Sequence, residues 1–560
     1  MERRLSLIPM RDWLRISTAA TVRSDIVAGI ALAGLLVPEG MAYAGIAGVP
    51  PEAGLYSAAM GLFVYALFGS SRQLAVSPTS GSAAMLAAFV GPLAMGSADR
   101  YLALASGTAI AAGILLLIAG FFKLGFVSEF ISKPVLKGFV FGLAITIIVK
   151  QAPKLLGIER GAGNVFSQAG HILTELKHTN SWTLAVGLCA LAGTFLISKY
   201  LPRIPSALVV LVLGILAVGY FGLDRRGVEV VGTIRGGMPT FRIPPVGADD
   251  LRDLFAGALG IVLIVYAEAL AAARTFASKF GYDISPNQEL AAIGVSNVAS
   301  GLAQGFIVGG GMSGTAANAS GGARTQLASL VSSLGVVLTL LFLMPLFHDL
   351  PEAVLGAIVI HAVWHLADVN ELRRFVRLKT GSIWAALTAM AGVLVLGVLK
   401  GLILAVCLTL VTLMKKISSP EVEVLGRLPG SDAFVNRANY ADAEPVPGLL
   451  ILRPSTTLFF ANANRVHSLL RELLTRAAQP VRDLVLVLEA SSEVDLTTLD
   501  MLREMKSELE QSGVQLSFVR LSEPVHELFA RSGFLAEIRE ERVFHNVTQA
   551  VEALRARERL

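Results

Sequence analysis

The stretch AVSPTSGSAAML, residues 75–86, lies among apolar runs long enough to cross a bilayer, yet it does not read as an ordinary membrane helix. Pro78 cannot donate a backbone hydrogen bond, and Thr79, Ser80 and Ser82 are small hydroxyl residues of the kind that start helices. VGGGMSGTAANASGG, residues 308–322, repeats the pattern in the other half of the apolar region. Non-helical backbone at membrane depth survives only where protein buries it or where it lines a polar cavity. A pair of such interruptions at corresponding places in two halves points to inverted repeats around a site. Each stretch starts a helix, so free N–H groups and the positive end of the helix dipole can face an anion there. Small residues also permit close helix packing, but the pair, taken with nearby Pro38 and Glu39, favours a site.

Apolar runs of about 17–25 residues, the length that spans a bilayer, recur from about residue 25 to about residue 418. Clear cases are 102–122, 182–198, 206–222, 325–347 and 383–399; others are interrupted at Pro38, Pro78, Pro134 and GGGMSG (309–314). Counting the interrupted runs as half-helices gives about fourteen segments. The chain is 54% hydrophobic and 16% charged, with a mean hydropathy of +0.65, which identifies an integral membrane protein. Cys189 and Cys407 both sit in apolar runs, which argues against a disulfide framework or a cysteine metal site. The formal charge of +5 comes from basic residues clustered beside apolar segments, a topology signal rather than a nucleic-acid footprint. The basic N-terminus lacks an apolar core followed by a cleavage site, so it is not read as a cleaved signal peptide. With a cytoplasmic N-terminus, the segment count puts Arg72, Lys123, Lys199, Arg203, Arg274, Lys279 and LRRFVRLK (372–379) on one side, with Lys415 and Lys416 before a cytoplasmic C-terminus. The loops at 152–180 and 223–250 also carry Arg and Lys, but long loops weigh little in that rule.

Composition changes near Ser418. LLILRP (449–454), DLVLVLE (483–489) and VQLSFVRL (514–521) read as strands; residues 463–477, 496–513 and 523–534 read as helices. The expected organisation is an N-terminal cytoplasmic segment 1–23, a transmembrane domain 24–418, a connection 419–446, and a small cytoplasmic α/β domain 447–560.

PPEAGLYSAAMGLFVYALFGSSRQLAVSP (50–78) resembles the signature of the SulP sulfate permeases and related anion transporters. The resemblance extends through VPEGMAYAGIAGVPP (37–51), ISKPVLKGFVFGLAI (131–145), YAEALAAARTFASKFGYDISPNQELAAIGVSN (266–297) and GGARTQLA (321–328). The C-terminal domain resembles a STAS domain, so the similarity covers nearly the whole chain. It implies a polytopic α-helical membrane domain of fourteen segments in two inverted seven-segment repeats, a core and a gate moving against each other, and a homodimer. It also implies an anion site between the half-helices of segments three and ten. The contributors carried over are Glu39 and Tyr43 from segment one, which VPEGMAYA is expected to break at Pro38, Thr79 and Ser80 from segment three, Glu268 from segment eight, and Gly311, Ser313, Gly314 and Thr315 from segment ten.

Two positions depart from the family pattern, where Gln commonly replaces Glu39 and Ser-Arg replaces Ser313-Gly314. Both departures make the site more negative, and like charges at close range oppose a bound dianion. Protons on Glu39, Glu268 or both would relieve this; so would a sodium ion between Glu268 and segment ten; or Glu39 lies outside the pocket. An idle carboxylate at membrane depth costs roughly 2.5–3.5 kcal/mol on translocon scales. Glu268 is the only acidic residue between Asp253 and Asp283, and the six-residue spacing to Arg274 does not put the two on one helix face. His361 and His365 are four apart, but no third ligand or zinc-protease Glu accompanies them, so they read as structural. In the C-terminal domain Asp495 and Thr497 fall where related STAS domains carry a phosphorylated Asp-Ser-Ser/Thr-Gly turn, yet Leu496 and Thr498 alter it, and Asp495 reads as a helix cap.

The expectation is a secondary active transporter of a small anion in a bacterial inner membrane, with sulfate moved by proton symport as the leading case. Sodium-coupled bicarbonate and proton-coupled C4-dicarboxylate transport are the alternatives. The STAS domain and the 50–72 signature argue against a nucleobase permease, and carboxylate-bearing broken helices argue against a mere signalling anchor. With no P-loop, nucleophile elbow or metal cluster, no enzyme, cofactor or nucleic-acid partner is expected.

Overall fold

Thr18 opens the first membrane helix with a capping box, its hydroxyl accepting from the Thr21 N–H, and Gly48 closes the helix in the left-handed region at φ 77°. Between them α1 (Ala19–Ala47) runs unbroken through Pro38, where the sequence suggested an interruption. One backbone bond is lost there, but residues 36–44 are all buried against neighbouring helices, and that packing holds the helix. The computed structural model describes residues 9, 10, 13, 17–126, 133–159, 161, 163–201, 204–234, 236–364, 367, 369–377, 382–477 and 479–558.

The helices that follow are α2 (Pro51–Phe68), α3 (Ser80–Leu93), α4 (Ala98–Phe121), α5 (Lys133–Leu156), α6 (Val165–Glu175), α7 (Ser181–Tyr200) and α8 (Ser206–Phe221). The second half holds α9 (Ala248–Phe280), α10 (Pro286–Leu302), α11 (Met312–Ser320), α12 (Leu327–Leu338), α13 (Glu352–Trp364), α14 (Val369–Arg377), α15 (Ser382–Leu396) and α16 (Val398–Ser418). Two short strands, β1 (Val76–Ser77) and β2 (Gly309–Gly310), precede α3 and α11. Leaving aside the connecting helices α6 and α14, the described residues hold fourteen apolar segments. Among the described residues seven helical stretches are long and apolar enough to cross a membrane by themselves, and the chain is a multi-pass membrane protein.

The packing shows the repeat. α1 packs on α12 as α9 packs on α4; α4 on α10 answers α12 on α2; and α5 on α15 answers α13 on α7. Each half has an odd number of segments, so the second enters the membrane from the opposite side, as an inverted repeat requires. The same contacts sort most segments into two bundles, α1–α4 with α9–α12 and α5, α7, α8 with α13 and α15.

Close approach within the first bundle rests on glycine. A side chain begun at Gly54 of α2 would lie 2.0 Å from the Gly40 carbonyl oxygen of α1. Gly54→Ala is therefore expected to separate α1 from α2 at a cost of about 1–3 kcal/mol, read as a lower midpoint in thermal unfolding of the detergent-solubilised protein.

Residues Met1–Thr409 and Leu410–Leu560 form separate compact units, with the division inside α16. The second unit carries a six-stranded sheet of β3 (Val422–Arg427), β4 (Phe434–Asn436), β5 (Leu449–Pro454), β6 (Asp483–Val487), β7 (Gln515–Val519) and β8 (Val543–Phe544), in the order β4-β3-β5-β6-β7-β8. Strands β5 to β8 are parallel, and β3 runs antiparallel to both β4 and β5. Side chains alternate between two faces: Leu450, Leu452, Leu484 and Leu486 bury on one, Ile451, Val485 and Val487 on the other. The first face is covered by α17 (Ala463–Thr475), α18 (Leu496–Gln511), α19 (Glu523–Arg531) and the short α20 (Phe534–Ile538), the second by α21 (Val547–Glu558). The stretch 419–446, expected as a connection, supplies β3 and β4 and so belongs to the sheet.

Candidate functional site

β1 and β2 pair antiparallel, Val76 with Gly310 and Ser77 with Gly309, so the two interruptions meet and the starts of α3 and α11 lie side by side. Thr79 caps α3, its hydroxyl accepting from the Ser82 N–H at 3.1 Å, and Gly311 occupies the cap position of α11. A side chain begun at Gly311 would meet the Thr79 methyl at 3.4 Å. Two helix N-termini thus converge on one place, the arrangement that suits an anion.

Extended backbone at this depth needs partners, and side chains supply them. Asn297 accepts from the Val308 N–H at 3.0 Å and donates to the Val308 carbonyl at 2.9 Å. Ser57 accepts from the Phe306 N–H, Ser300 donates to the Phe306 carbonyl, and Ser82 donates to the Ile307 carbonyl. On the other strand Gln326 donates to the carbonyls of Ser71 and Leu74, and Asn318 donates to that of Gln73. Asn297→Leu would leave a buried N–H and a buried carbonyl without their partner, at about 1–3 kcal/mol each. The expected result is a lower unfolding midpoint together with loss of transport in reconstituted vesicles.

The residues singled out from the sequence take distinct positions. Thr315 donates to the Gly311 carbonyl at 2.7 Å and accepts from the Ala75 N–H at 3.2 Å, so its hydroxyl ties the first turn of α11 to the strand before α3. Ser80 is buried, Gly311 is partly buried, and Ser313 is exposed in the first turn of α11. Glu268 on α9 aims its carboxylate at the opening of α3: both oxygens lie 3.4–3.5 Å from where a Gly81 side chain would begin. Glu39 and Tyr43 are buried one helical turn apart on α1, with the Tyr43 hydroxyl hydrogen-bonded to the Glu39 carboxyl. α1 packs against both α3 and α11. The α11 contact includes Gly314, whose side-chain position faces Leu36, three residues before Glu39 on the same helix face.

Sequence reading overlooked two buried carboxylates that hold this frame. Asp25 accepts from the N–H groups of Arg324 and Thr325 and from the Thr325 hydroxyl, fastening the start of α1 to the segment after α11. Glu289 accepts from the Tyr65 hydroxyl at 2.8 Å and from the Ser70 N–H and hydroxyl at 2.9 and 2.7 Å, fastening α10 to the end of α2. Both stand out in sequence only as acids near apolar helices, the signal that drew attention to Glu39 and Glu268.

Asp495 and Thr497 lie apart from this site, in the second unit. Asp495 caps α18, accepting from the Thr498 N–H at 2.8 Å, and also accepts from the Phe460 N–H at 2.7 Å. Burial opposes its charge, but the hydrogen bonds from Thr498 and Phe460 outweigh that and hold its pKa below the usual carboxylate range. Thr497 is exposed. The His361 ring stacks edge-on against Phe195 at 4.8 Å between centroids; His365 lies outside the described residues.

Residues 22–390 match the pattern of the Sulfate permease family, and residues 440–550 match the STAS domain. A probable sulfate transporter of Mycobacterium tuberculosis is 35% identical over 547 residues, 98% of this chain and 96% of the relative. Probable sulfate transporter 3.3 of Arabidopsis thaliana is 31% identical, over 98% of this chain and 90% of its own length. Among solved structures, that of the murine Solute Carrier 26 family member A9 anion transporter in the inward-facing state shares the fold, with a TM-score of 0.89 at 24% identity over 99% of this chain and 96% of that one. The transmembrane domain of the cyanobacterial bicarbonate transporter BicA aligns with a TM-score of 0.62 at 24% identity, over 70% of this chain and 98% of that one. With the family pattern spanning the membrane helices and relatives matched almost end to end, the chain belongs to the Sulfate permease family and is a membrane transporter rather than an enzyme.

Proposed function

We propose that this protein is a secondary active transporter of a small oxyanion, sulfate, which it carries by proton symport across a bacterial inner membrane, as a homodimer with both termini in the cytoplasm. Relatives named as sulfate transporters over nearly the full length support the substrate. Two helix N-termini converging at a break in the membrane support an oxyanion, which accepts several N–H bonds at once.

The observation that carries proton coupling is the Glu268 carboxylate over the first turn of α3, with both oxygens near Gly81. An ionised carboxylate beside that helix end places a negative charge where an incoming oxyanion would sit, and repels it at short range and low dielectric. A proton on Glu268 removes that charge, so anion and proton bind together. Glu39 with Tyr43 on α1 is the second carboxylate of the region and would share the proton traffic. A sodium ion finds fewer oxygens here, because the Thr79 and Thr315 hydroxyls are already engaged with backbone and with Ser82.

Purified protein in proteoliposomes tests this. Labelled sulfate is expected to accumulate inside vesicles when a proton gradient is imposed and to equilibrate without accumulation when only a sodium gradient is imposed. Accumulation under sodium alone, or of bicarbonate or succinate in place of sulfate, would overturn the assignment.

A further inference from the structure

We infer that the end of the STAS domain carrying Phe460 and Leu496 seats on the lipid surface of the cytoplasmic leaflet, with those two side chains in the interfacial zone. In residues 419–560 the large apolar side chains that are exposed, among those described, are Tyr440, Phe460 and Leu496. Phe460 is 67% exposed and Leu496 is 71% exposed. They are neighbours in space: the Phe460 N–H donates to Asp495, the residue before Leu496. The loops that bear them are tied further by Leu458 donating to Ser491 and by Thr457 donating to the Ala490 carbonyl. Single exposed apolar residues need no explanation, but here two of three fall on one pair of hydrogen-bonded loops.

What covers that patch follows from where the membrane helix ends. Asn462, two residues after Phe460, donates to the carbonyl of Ile417 in the last turn of α16 at 3.4 Å. Leu410, Val411, Met414 and Ile417 form an exposed apolar stripe on that helix end, the face a lipid-bathed helix presents. Lys415 and Lys416, both exposed, mark the level of the headgroups. Met414 lies only three residues above Ile417, about 4.5 Å along the helix axis, and a headgroup zone is roughly 5–8 Å deep on each side of the core. Loops anchored at Ile417 therefore reach the interfacial layer, where Phe460 and Leu496 can enter while Lys415 and Lys416 pair with anionic headgroups.

The test uses the full chain with Cys189→Ala and Cys407→Ala, carrying Phe460→Cys, Leu496→Cys or, as a control at the other end of α18, Gln511→Cys. Each is labelled with an environment-sensitive fluorophore in nanodiscs of phosphatidylglycerol and phosphatidylcholine, with nitroxide-bearing lipids as quencher. Labels at 460 and 496 are expected to be quenched by the lipid nitroxide at least about two-fold more than the label at 511. They are also expected to lose that quenching partly when Lys415→Gln and Lys416→Gln are added. Labels that a water-soluble quencher reaches freely would overturn the proposal. Labels shielded from both quenchers would overturn it equally, since protein, such as a second copy of this chain, would then cover the patch.

Discussion

Glu268→Gln is expected to abolish uphill accumulation of sulfate driven by a proton gradient, by at least about ten-fold, while leaving exchange of sulfate across the vesicle membrane in place. Ten-fold corresponds to about 1.4 kcal/mol of coupling, the size of one pKa unit of differential interaction. Gln has the shape of a protonated Glu but cannot give the proton up, so the first turn of α3 keeps a neutral partner at all times. The anion can then bind and leave on either side without a proton, which permits exchange and removes the thermodynamic link to the gradient. In the parent protein sulfate uptake should fall as pH rises and the carboxylate ionises in its place over α3; in Glu268→Gln the profile should be flat. A variant that keeps both the parental pH profile and the uphill accumulation would show that Glu268 does not carry the proton.

The two interruptions were legible in the sequence because there the backbone itself had to depart from helix. Pro78 and the glycines at 309–311 cannot sustain a membrane helix, and the strands and half-helices stand where those residues put them. Pro38 carries the same local signal but sits in a helix packed on several sides, and tertiary contact outweighs one missing N–H. The carboxylates of Asp25 and Glu289 were illegible for another reason. Their partners include backbone N–H groups hundreds of residues away, and a backbone donor has no residue type to mark it. Asn297 hides in the same way, since both its bonds to Val308 are to main chain. In the second unit the stretch around β3 is polar and bears glycine and proline, which suggested a connection. Its Val422 and Val424 side chains pack with the cluster on one face of the sheet, and pairing with β5, beyond a long polar insertion, fixes its register.

Gly314→Arg is expected to change the coupling rather than the fold. The side-chain position at Gly314 meets only the Ala75 and Leu36 side chains, at 3.5 and 3.6 Å, ordinary contact distances that admit a Cβ without displacing backbone. Leu36 leads on the same face of α1 to Glu39 one turn away, so an extended guanidinium from 314 reaches toward that carboxylate. A fixed positive charge beside Glu39 would offset the negative charge that, in the proposed mechanism, protons neutralise. Sulfate uptake by Gly314→Arg should therefore persist at high pH, where the parent fails, and its dependence on the proton gradient should shrink by about ten-fold. Combining it with Glu39→Gln separates two roles for the arginine. If the charge acts through Glu39, the double variant should bind sulfate more tightly than either single variant, because the arginine is then released to the anion. If the double variant only sums the two single effects, Gly314 and Glu39 act independently, and the coupling rests on Glu268 alone.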